Sequence, residues 1–185
     1  MSTPQSSASR YSRGAIAFHW TIAALILANI TIGLLHEDMA RETRRFWMGQ
    51  HFAIGLAVLV LSVGRVGWRL AYKPPAPLMT QAAWERVLAR AVHVIFYLLI
   101  IALPVLGWLA VSTGRAESIS FFGLFEMPVL PVARSDGAHS TLETVHGLLG
   151  KIMLGLIVLH VIGALKHHIL DRDLTLARMI PFIRG

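Results

Sequence analysis

The sequence predicts an all-α protein, a bundle of four helices integral to a membrane, and three observations support this fold class. The mean hydropathy is +0.62 and only 15% of the 185 residues are charged, which is too apolar for an ordinary soluble domain of this length. Four apolar stretches each reach the length of about 20 residues that a helix needs to cross the hydrocarbon core. Polar or proline-bearing connections separate them. We therefore expect a single membrane domain over residues 1–185.

The first two membrane spans are predicted at residues 13–35 and 49–71. Ser12 precedes the first span as an N-cap, and the charged stretch HEDMARETRR ends it. The second span is followed by KPPAP, residues 73–77. Proline lacks an amide donor and clashes with the preceding helical turn, so this segment cannot continue a helix. The chain is expected to turn there.

The second half of the chain predicts two further spans, at residues 91–112 and 142–170. An amphipathic stretch at 81–90 leads into the third span and is expected to lie at the membrane interface. Pro104 predicts a kink within that span. Residues 113–141 are rich in Gly, Pro and Ser, so no regular structure is expected there, although the apolar insert FFGLFEMPVLP suits the headgroup region.

Basic residues are unevenly distributed among the predicted connections, and this sets the expected orientation. Eleven of the 17 lysines and arginines lie near the N-terminal tail, the link between the second and third spans, and the C-terminus, whereas the other two loops hold five. Basic residues near span ends remain on the cytoplasmic side, so both termini are expected to be cytoplasmic. The net charge of +7 is therefore interpreted through topology and lipid contact, with no nucleic acid as partner.

Five of the nine histidines lie well within the predicted spans: His19, His51, His93, His146 and His160. Polar side chains inside a membrane are costly, so function is the default interpretation. The alternative for any single histidine is a hydrogen bond to a neighbouring helix. Five together favour a functional role.

The alternating direction of the spans sorts these histidines into two levels. His19 lies near the cytoplasmic start of span one, whereas His51 and His146 lie near the opposite-side starts of spans two and four. His160 follows His146 by fourteen residues, a rise of about 21 Å and nearly four full turns, so both project from one face of the helix. One level thus holds His19 and His160, the other His51 and His146, and His93 is a third candidate at the first level.

Paired histidines at two levels are typical of two bis-histidine haem sites. Two axial imidazoles leave no open position on the iron, which suits electron transfer rather than oxygenation, whereas a structural zinc would need more ligands at each level. The chain has no cysteine, which excludes disulfides, iron–sulfur clusters and covalent c-type attachment. The expected cofactors are two non-covalently held b haems, with His19, His51, His146 and His160 as ligands to the iron.

A small residue follows four of these histidines by one helical turn: Ala23, Gly55, Gly150 and Ala164. A flat porphyrin needs such clearance beside its ligand, on the same face of the helix. The corresponding residue after His93 is the bulky Tyr97, so His93 is assigned a different task. Small residues also occur in membrane helices for packing reasons alone.

The order of these motifs resembles the bacterial cytochrome b561 family. The matching segments are RYSRGAIAFHW, GQHFAIG, RVGWRLAYKPPAP, HVIFYLLIIALPVLGW, ETVHGLLGKIMLGLIVLHVIGALKHHIL and LARMIP, which together extend over nearly the whole chain. The family comprises four-helix dihaem proteins of the bacterial inner membrane and includes superoxide oxidase, a superoxide:ubiquinone oxidoreductase. The resemblance implies that His19 pairs with His160 and His51 with His146, the pairs that the levels also predict.

The resemblance further implies that ubiquinone binds near the cytoplasmic-side haem, where His93, His167 and His168 are the candidate contacts. The alternative for His167 and His168 is an interfacial pair that extends towards the headgroups. Histidine titrates in the range needed to supply the two protons that quinol formation requires, which favours His93 and His167.

The leading functional hypothesis is that superoxide is oxidised to oxygen on the periplasmic side and that its electron passes through the two haems to ubiquinone. Cationic residues on that side would steer the anionic substrate. The candidates are Arg41, Arg44, Arg45 and Lys151, for which the alternative is anchoring to headgroups. No protein acid or nucleophile is required for the oxidation of superoxide.

Two other classes of function remain. The protein could be a non-enzymatic membrane anchor that relays electrons between quinone and a partner dehydrogenase or hydrogenase, or another periplasmic electron-transfer partner. Such an anchor, purified alone, would not consume superoxide rapidly. A structural bundle without cofactor would give a colourless preparation.

Overall fold

Four long helices make up most of the protein in the computed structural model, which describes residues 10–76, 78 and 81–180. Each of the four is long and apolar enough to cross a membrane, so the predicted all-α membrane bundle is confirmed. The helices are α1 (Arg13–Leu35), α2 (Arg41–Ala71), α3 (Ala83–Thr113) and α4 (Asp136–Ile169), with a 3₁₀ turn at His36–Asp38 and two short strands, β1 (Ser118–Phe121) and β2 (Phe125–Pro128).

Hydrogen bonds from side chains fix where three of the helices begin. The Ser12 hydroxyl accepts a hydrogen bond from the amide of Ala15 at 3.3 Å, which confirms the predicted N-cap of α1. Ser135 caps α4 in the same way. At the start of α3, the Glu85 carboxylate accepts from the amide of Ala82 at 3.0 Å. Each contact satisfies an amide that has no partner inside its helix.

Three helices extend beyond the predicted apolar spans. α2 begins at Arg41 rather than near residue 49, α4 begins at Asp136 rather than near 142, and the stretch at 81–90 forms part of one continuous α3 that runs through Pro104. Hydropathy locates only the part of a helix that suits hydrocarbon. The backbone hydrogen-bond ladder continues into polar sequence, which explains the longer helices.

The segment between α3 and α4 contains an antiparallel β-hairpin, so the expectation of no regular structure at 113–141 is wrong. Phe122 and Gly123, with φ of 53° and 75°, occupy the left-handed region that a tight hairpin turn requires. The amide of Leu124 closes the turn on the carbonyl of Phe121 at 2.9 Å. The Trp108 indole of α3 donates to a β2 carbonyl at 3.2 Å, which holds the hairpin against α3.

The helices pack unequally, and this leaves a cleft. α3 packs closely on α4, α1 on α2, and α2 on α3, whereas α1 approaches α4 at only a few positions. Within the described part of the chain, no Cα atoms of α2 and α4 lie within 8 Å of each other. We call the space between α4 and the α1–α2 pair the cleft. We call the end of the bundle near the hairpin the hairpin end, and the opposite end, where the described chain begins and finishes, the termini end.

The C-terminal segment, residues 170–180, folds back across the termini end. The Trp20 indole donates to the carbonyl of Met179 at 2.9 Å. The Arg178 guanidinium donates to the carbonyl of Ala76 at 2.8 Å. These contacts tie the segment to α1 and to the α2–α3 connection, so the sequence LARMIP forms part of the folded bundle.

Candidate functional site

The hairpin end of the cleft holds one pair of histidines, His51 from α2 and His146 from α4. Their ring centroids are 5.9 Å apart with an interplanar angle of 71°. The Nδ1 atom of His51 lies 3.1 Å from the carbonyl oxygen of Asn29, and that of His146 lies 3.0 Å from the carbonyl of Leu103. Nδ1–H therefore donates in both rings, which leaves the Nε2 lone pair available to a metal.

The termini end holds a cluster of three histidines, His19, His93 and His160. The ring centroid of His160 lies 6.3 Å from that of His19 and 5.3 Å from that of His93. The Nδ1 atom of His93 donates to the carbonyl of Ala89 at 2.5 Å. His160 thus faces two candidate partners, as the sequence levels suggested.

A packed layer of side chains separates the two histidine sites. Met153, midway between His146 and His160 on α4, is only 1% exposed. It packs in one buried cluster with Leu99 and Ile100 of α3. Since fourteen residues of helix rise about 21 Å, the structure has two distinct sites at different depths rather than one continuous cluster.

Helix packing distinguishes the two possible partners of His160. A flat macrocycle between His93 and His160 would have to part α3 from α4, which pack closely along their length. A macrocycle between His19 and His160 would enter the cleft, where α1 and α4 scarcely touch. The packing therefore favours His19.

The hairpin-end pair also fits a bis-histidine porphyrin site. Metal–imidazole bonds of about 2.0 Å on both sides of one ion would place the two ring centroids roughly 6 Å apart, close to the observed separation of 5.9 Å. A Cβ atom built on Gly150, one turn after His146, would meet nothing within 4 Å. The corresponding Cβ on Gly55 would meet only the Asn29 amide, at 3.8 Å. Both small residues leave room beside the imidazoles.

Two further glycines hold the hairpin-end imidazoles in place, and the sequence analysis missed them. A Cβ atom on Gly33 would lie 3.4 Å from Cε1 of His51, and one on Gly107 would lie 3.3 Å from Cε1 of His146. Each ring therefore packs directly on the backbone of the helix beside its own. Glycine spacing in the sequence carried no signal that singled out these two positions.

A cationic group near the termini-end cluster was also missed. Arg65 of α2 donates to the Tyr97 hydroxyl at 3.3 Å and to Nδ1 of His19 at 3.4 Å. The guanidinium carbons of Arg65 and Arg69 lie 5.4 and 5.5 Å from the centroid of the Tyr97 ring. The sequence analysis counted both arginines only as topology signals and Tyr97 only as an obstruction.

His167 does not reach the cleft histidines but joins an ion cluster at the termini end. Its Nδ1 atom lies 2.9 Å from a carboxylate oxygen of Asp171 and 3.1 Å from one of Asp173. The Lys166 ammonium bridges Asp171, at 2.7 Å, and Glu85 of α3. Within the described residues His168 is half-buried and forms no hydrogen bond or ion pair.

The same ion cluster contains the one group that meets a metal-site distance criterion among the described residues. Single ligand atoms of Glu85, His167 and Asp171 all lie within 4.8 Å of one another. The Lys166 ammonium already bonds to both carboxylates, so a cation occupies the position that a metal would take. We interpret the group as an ion-pair network that joins α3, α4 and the C-terminal segment.

This network predicts acid sensitivity. The hydrogen bond from Lys166 holds the pKa of Asp171 below its ordinary value of 3.8. A carboxyl group with a lowered pKa stabilises the fold above its unfolded pKa, and that contribution is lost as the pH falls through the lowered value. Asp171→Asn should therefore lower the melting temperature slightly at pH 7 and have no effect below pH 3. Thermal unfolding in detergent across this range measures the difference, and equal destabilisation at both pH values would contradict it.

The four cationic candidates for steering lie towards the hairpin end. Arg41, Arg44 and Arg45 are exposed on the first turns of α2, and Lys151 is exposed on α4 five residues after His146. Arg44 donates to the carbonyls of Glu37, at 2.9 Å, and Met39, at 3.3 Å. Arg44 therefore also stabilises the α1–α2 connection.

Four membrane-spanning helices, with paired histidines facing a cleft at two depths, define a membrane-embedded b-type cytochrome. The chain belongs to the prokaryotic cytochrome b561 family, whose family model matches residues 10–182. The predicted family is thus confirmed. The protein is a multi-pass bacterial membrane protein of electron transfer that binds haem b and contacts lipid.

Similar proteins extend over almost the same length. Cytochrome b561 homolog 2 of Escherichia coli (strain K12) is 33% identical over 173 residues, covering 92% of this chain and 91% of the relative. A protein of Yersinia pestis named "Probable superoxide oxidase CybB" is 37% identical over 178 residues, covering 95% and 98%. Cytochrome b562 of Cereibacter sphaeroides is 28% identical over 176 residues, covering 92% and 94%.

Proposed function

We propose that the protein is a dihaem superoxide:quinone oxidoreductase of the bacterial inner membrane. The observation that carries this proposal is the presence of two histidine sites at different depths on one helix, which gives electrons a route across the bilayer. The 37% identity to a probable superoxide oxidase over 95% of the chain supports the choice of substrate.

Four histidines are assigned as ligands, His51 with His146 at the hairpin end and His19 with His160 at the termini end. When bound, the two haems supply one-electron carriers between the reactants. With both axial positions taken by imidazole, the site favours electron transfer over oxygen binding. The carbonyls of Asn29 and Leu103 keep the hairpin-end rings in the tautomer whose Nε2 faces the cleft.

The overall reaction balances with two superoxide anions for each quinone. Each superoxide loses one electron at the hairpin end and leaves as oxygen. The quinone gains two electrons and two protons at the termini end and becomes quinol. The distribution of basic residues places the hairpin end in the periplasm and the termini end in the cytoplasm. Protons for the quinone then come from the cytoplasm.

His93 is assigned to quinone reduction. Its Nδ1 is engaged by the Ala89 carbonyl, so Nε2 is the atom that takes up and releases a proton. The side chain is exposed and lies next to His160, so one side of the ring is open to a substrate. His167 and His168, two turns beyond His160 on α4, lie between this site and the cytoplasm and deliver protons to it.

Charge at the hairpin end predicts the salt dependence of the superoxide reaction. Replacing Arg41 and Arg45 with Gln should lower the second-order rate constant for superoxide at low ionic strength by about 3- to 10-fold, because steering of an anion is weakened. The difference should disappear near 1 M salt, where the screening length is about 3 Å. Stopped-flow measurement over a salt series tests this.

A matched control removes the same charge from the opposite end. Lys73→Gln with Arg90→Gln changes two exposed cations at the termini end and should leave the superoxide rate unchanged. An equal effect of both double variants would show that net charge, rather than a local patch, controls the encounter.

The activity itself is tested with the purified protein in detergent. Superoxide consumption is followed by stopped flow with and without a ubiquinone analogue, after the haem content has been measured. Rapid consumption that yields quinol, at a ratio of two superoxide anions to one quinone, supports the proposal. A dihaem preparation that does not consume superoxide would instead favour the relay anchor for a partner dehydrogenase or hydrogenase.

A further inference from the structure

The two histidine sites differ in the groups that surround their imidazoles. At the hairpin end, the Nδ1 atoms of His51 and His146 both face backbone carbonyls. At the termini end, Nδ1 of His19 faces the guanidinium of Arg65 at 3.4 Å. One site is thus surrounded by hydrogen-bond acceptors, the other by a fixed positive charge.

Arg65 is held in place independently of His19. Its Nε donates to the Tyr97 hydroxyl at 3.3 Å, and its guanidinium carbon lies 5.4 Å from the centroid of the Tyr97 ring. In the part of the chain that the structure describes, neither Arg65 nor Arg69 forms an ion pair with a carboxylate. The positive charge beside the termini-end site is therefore not neutralised by the protein.

This difference has a definite sign for electron affinity. An imidazole that donates Nδ1–H to a carbonyl becomes a more basic ligand, which stabilises the oxidised metal. A nearby positive charge disfavours the oxidised, more positive form, and does so more strongly in a low-dielectric interior than in water. When Nε2 of His19 binds iron, Nδ1 carries a proton, so the Arg65 hydrogen bond to it is lost. The contacts with Tyr97 still keep the charge nearby.

We propose that Arg65, positioned by Tyr97, raises the reduction potential of the termini-end haem above that of the hairpin-end haem, so that the electron equilibrium favours the quinone side. Arg65 is a positioning and tuning residue here, not a ligand. The inference rests on the proposed pairs of ligands and gives the proposed electron transfer its direction.

The test is a potentiometric titration of haem absorbance in the detergent-solubilised holoprotein. Gly107→Ala, whose Cβ presses on His146, identifies the hairpin-end component as the one that it shifts. In the wild type, the termini-end component should have the higher potential. Arg65→Gln should lower that component by at least about 59 mV, a tenfold change for a one-electron couple, and leave the other component in place.

Three further variants separate charge from structure. Arg65→Lys keeps the charge and should retain most of the wild-type potential. Arg69→Gln removes an equal charge one turn away, on an exposed side chain without a hydrogen bond to His19 or Tyr97 among the described residues, and should cause a much smaller shift. Tyr97→Phe removes only the hydroxyl that holds Arg65 and should lower the same component, and this measurement decides the matter if Arg65→Gln loses its haem.

The inference would be overturned if the termini-end component had the lower potential in the wild type. Equal shifts of both components in Arg65→Gln would also overturn it, and so would an unchanged potential in both Arg65→Gln and Tyr97→Phe. These outcomes differ from failure of the proposed function, which would appear earlier as a preparation with fewer than two haems, or separately as a dihaem protein inert towards superoxide.

Discussion

Replacing His51 or His146 with alanine is expected to lower the haem content from two per chain to one. Each variant removes one of the two axial imidazoles at the hairpin end, and the remaining ring alone cannot hold the macrocycle in the bis-histidine state. The termini-end site should remain occupied, because the buried layer around Met153 separates the two sites. Haem assayed against protein mass measures the ratio.

The converse variants, His19→Ala and His160→Ala, should also give one haem per chain, but with a different residual spectrum. His168→Ala serves as the matched control, since it removes an imidazole from α4 outside both sites and should retain two haems. If any of the four single variants kept both haems with unchanged spectra, that histidine would not be a ligand. A wild-type protein with only one haem would invalidate the assignment of both pairs.

Replacing His93 with alanine is expected to slow quinone reduction by about 100-fold or more, the usual range for loss of a general acid, while both haems are retained. His93 contacts His160 from α3, but the close α3–α4 packing leaves no room for a macrocycle between them. Its loss should therefore affect proton delivery and not haem binding. Reduced protein mixed rapidly with a ubiquinone analogue gives the rate from the haem absorbance.

The reduction of the haems by superoxide is the internal control for the His93 variant. That step takes place at the hairpin end and should proceed at the wild-type rate in His93→Ala, while the later oxidation by quinone is slow. Loss of the termini-end haem in this variant would instead identify His93 as the partner of His160. An unimpaired quinone step with both haems present would exclude His93 from proton delivery.

Sequence patterns were most informative where one local physical rule dominates. Hydropathy located all four membrane helices, since the cost of burying polar groups in hydrocarbon leaves few other arrangements. Ser12 was identified as an N-cap from its position alone. The period of the α-helix placed His146 and His160 on one face at two depths, and the structure brings each of them next to a histidine of another helix.

Patterns were least informative where polar sequence adopts regular structure. The charged residues from Arg41 onwards are helical because the backbone ladder extends past the hydrocarbon-matched part of α2. The hairpin at 118–128 depends on Phe122 adopting a positive φ, which is uncommon for a bulky residue, so no sequence rule indicated a turn there.

The amino-acid sequence by itself determined the class of fold, the depth of each histidine and the family, because helix length, periodicity and apolar composition act along the chain. Only the tertiary structure decided which helices are tightly packed and which leave a cleft, and hence that His160 has room for a cofactor towards α1 but not towards α3. It also showed that Arg65 is fixed by Tyr97 and that His167 is held by two carboxylates. Such contacts join residues distant in sequence, and they depend on helix packing, which no local pattern encodes.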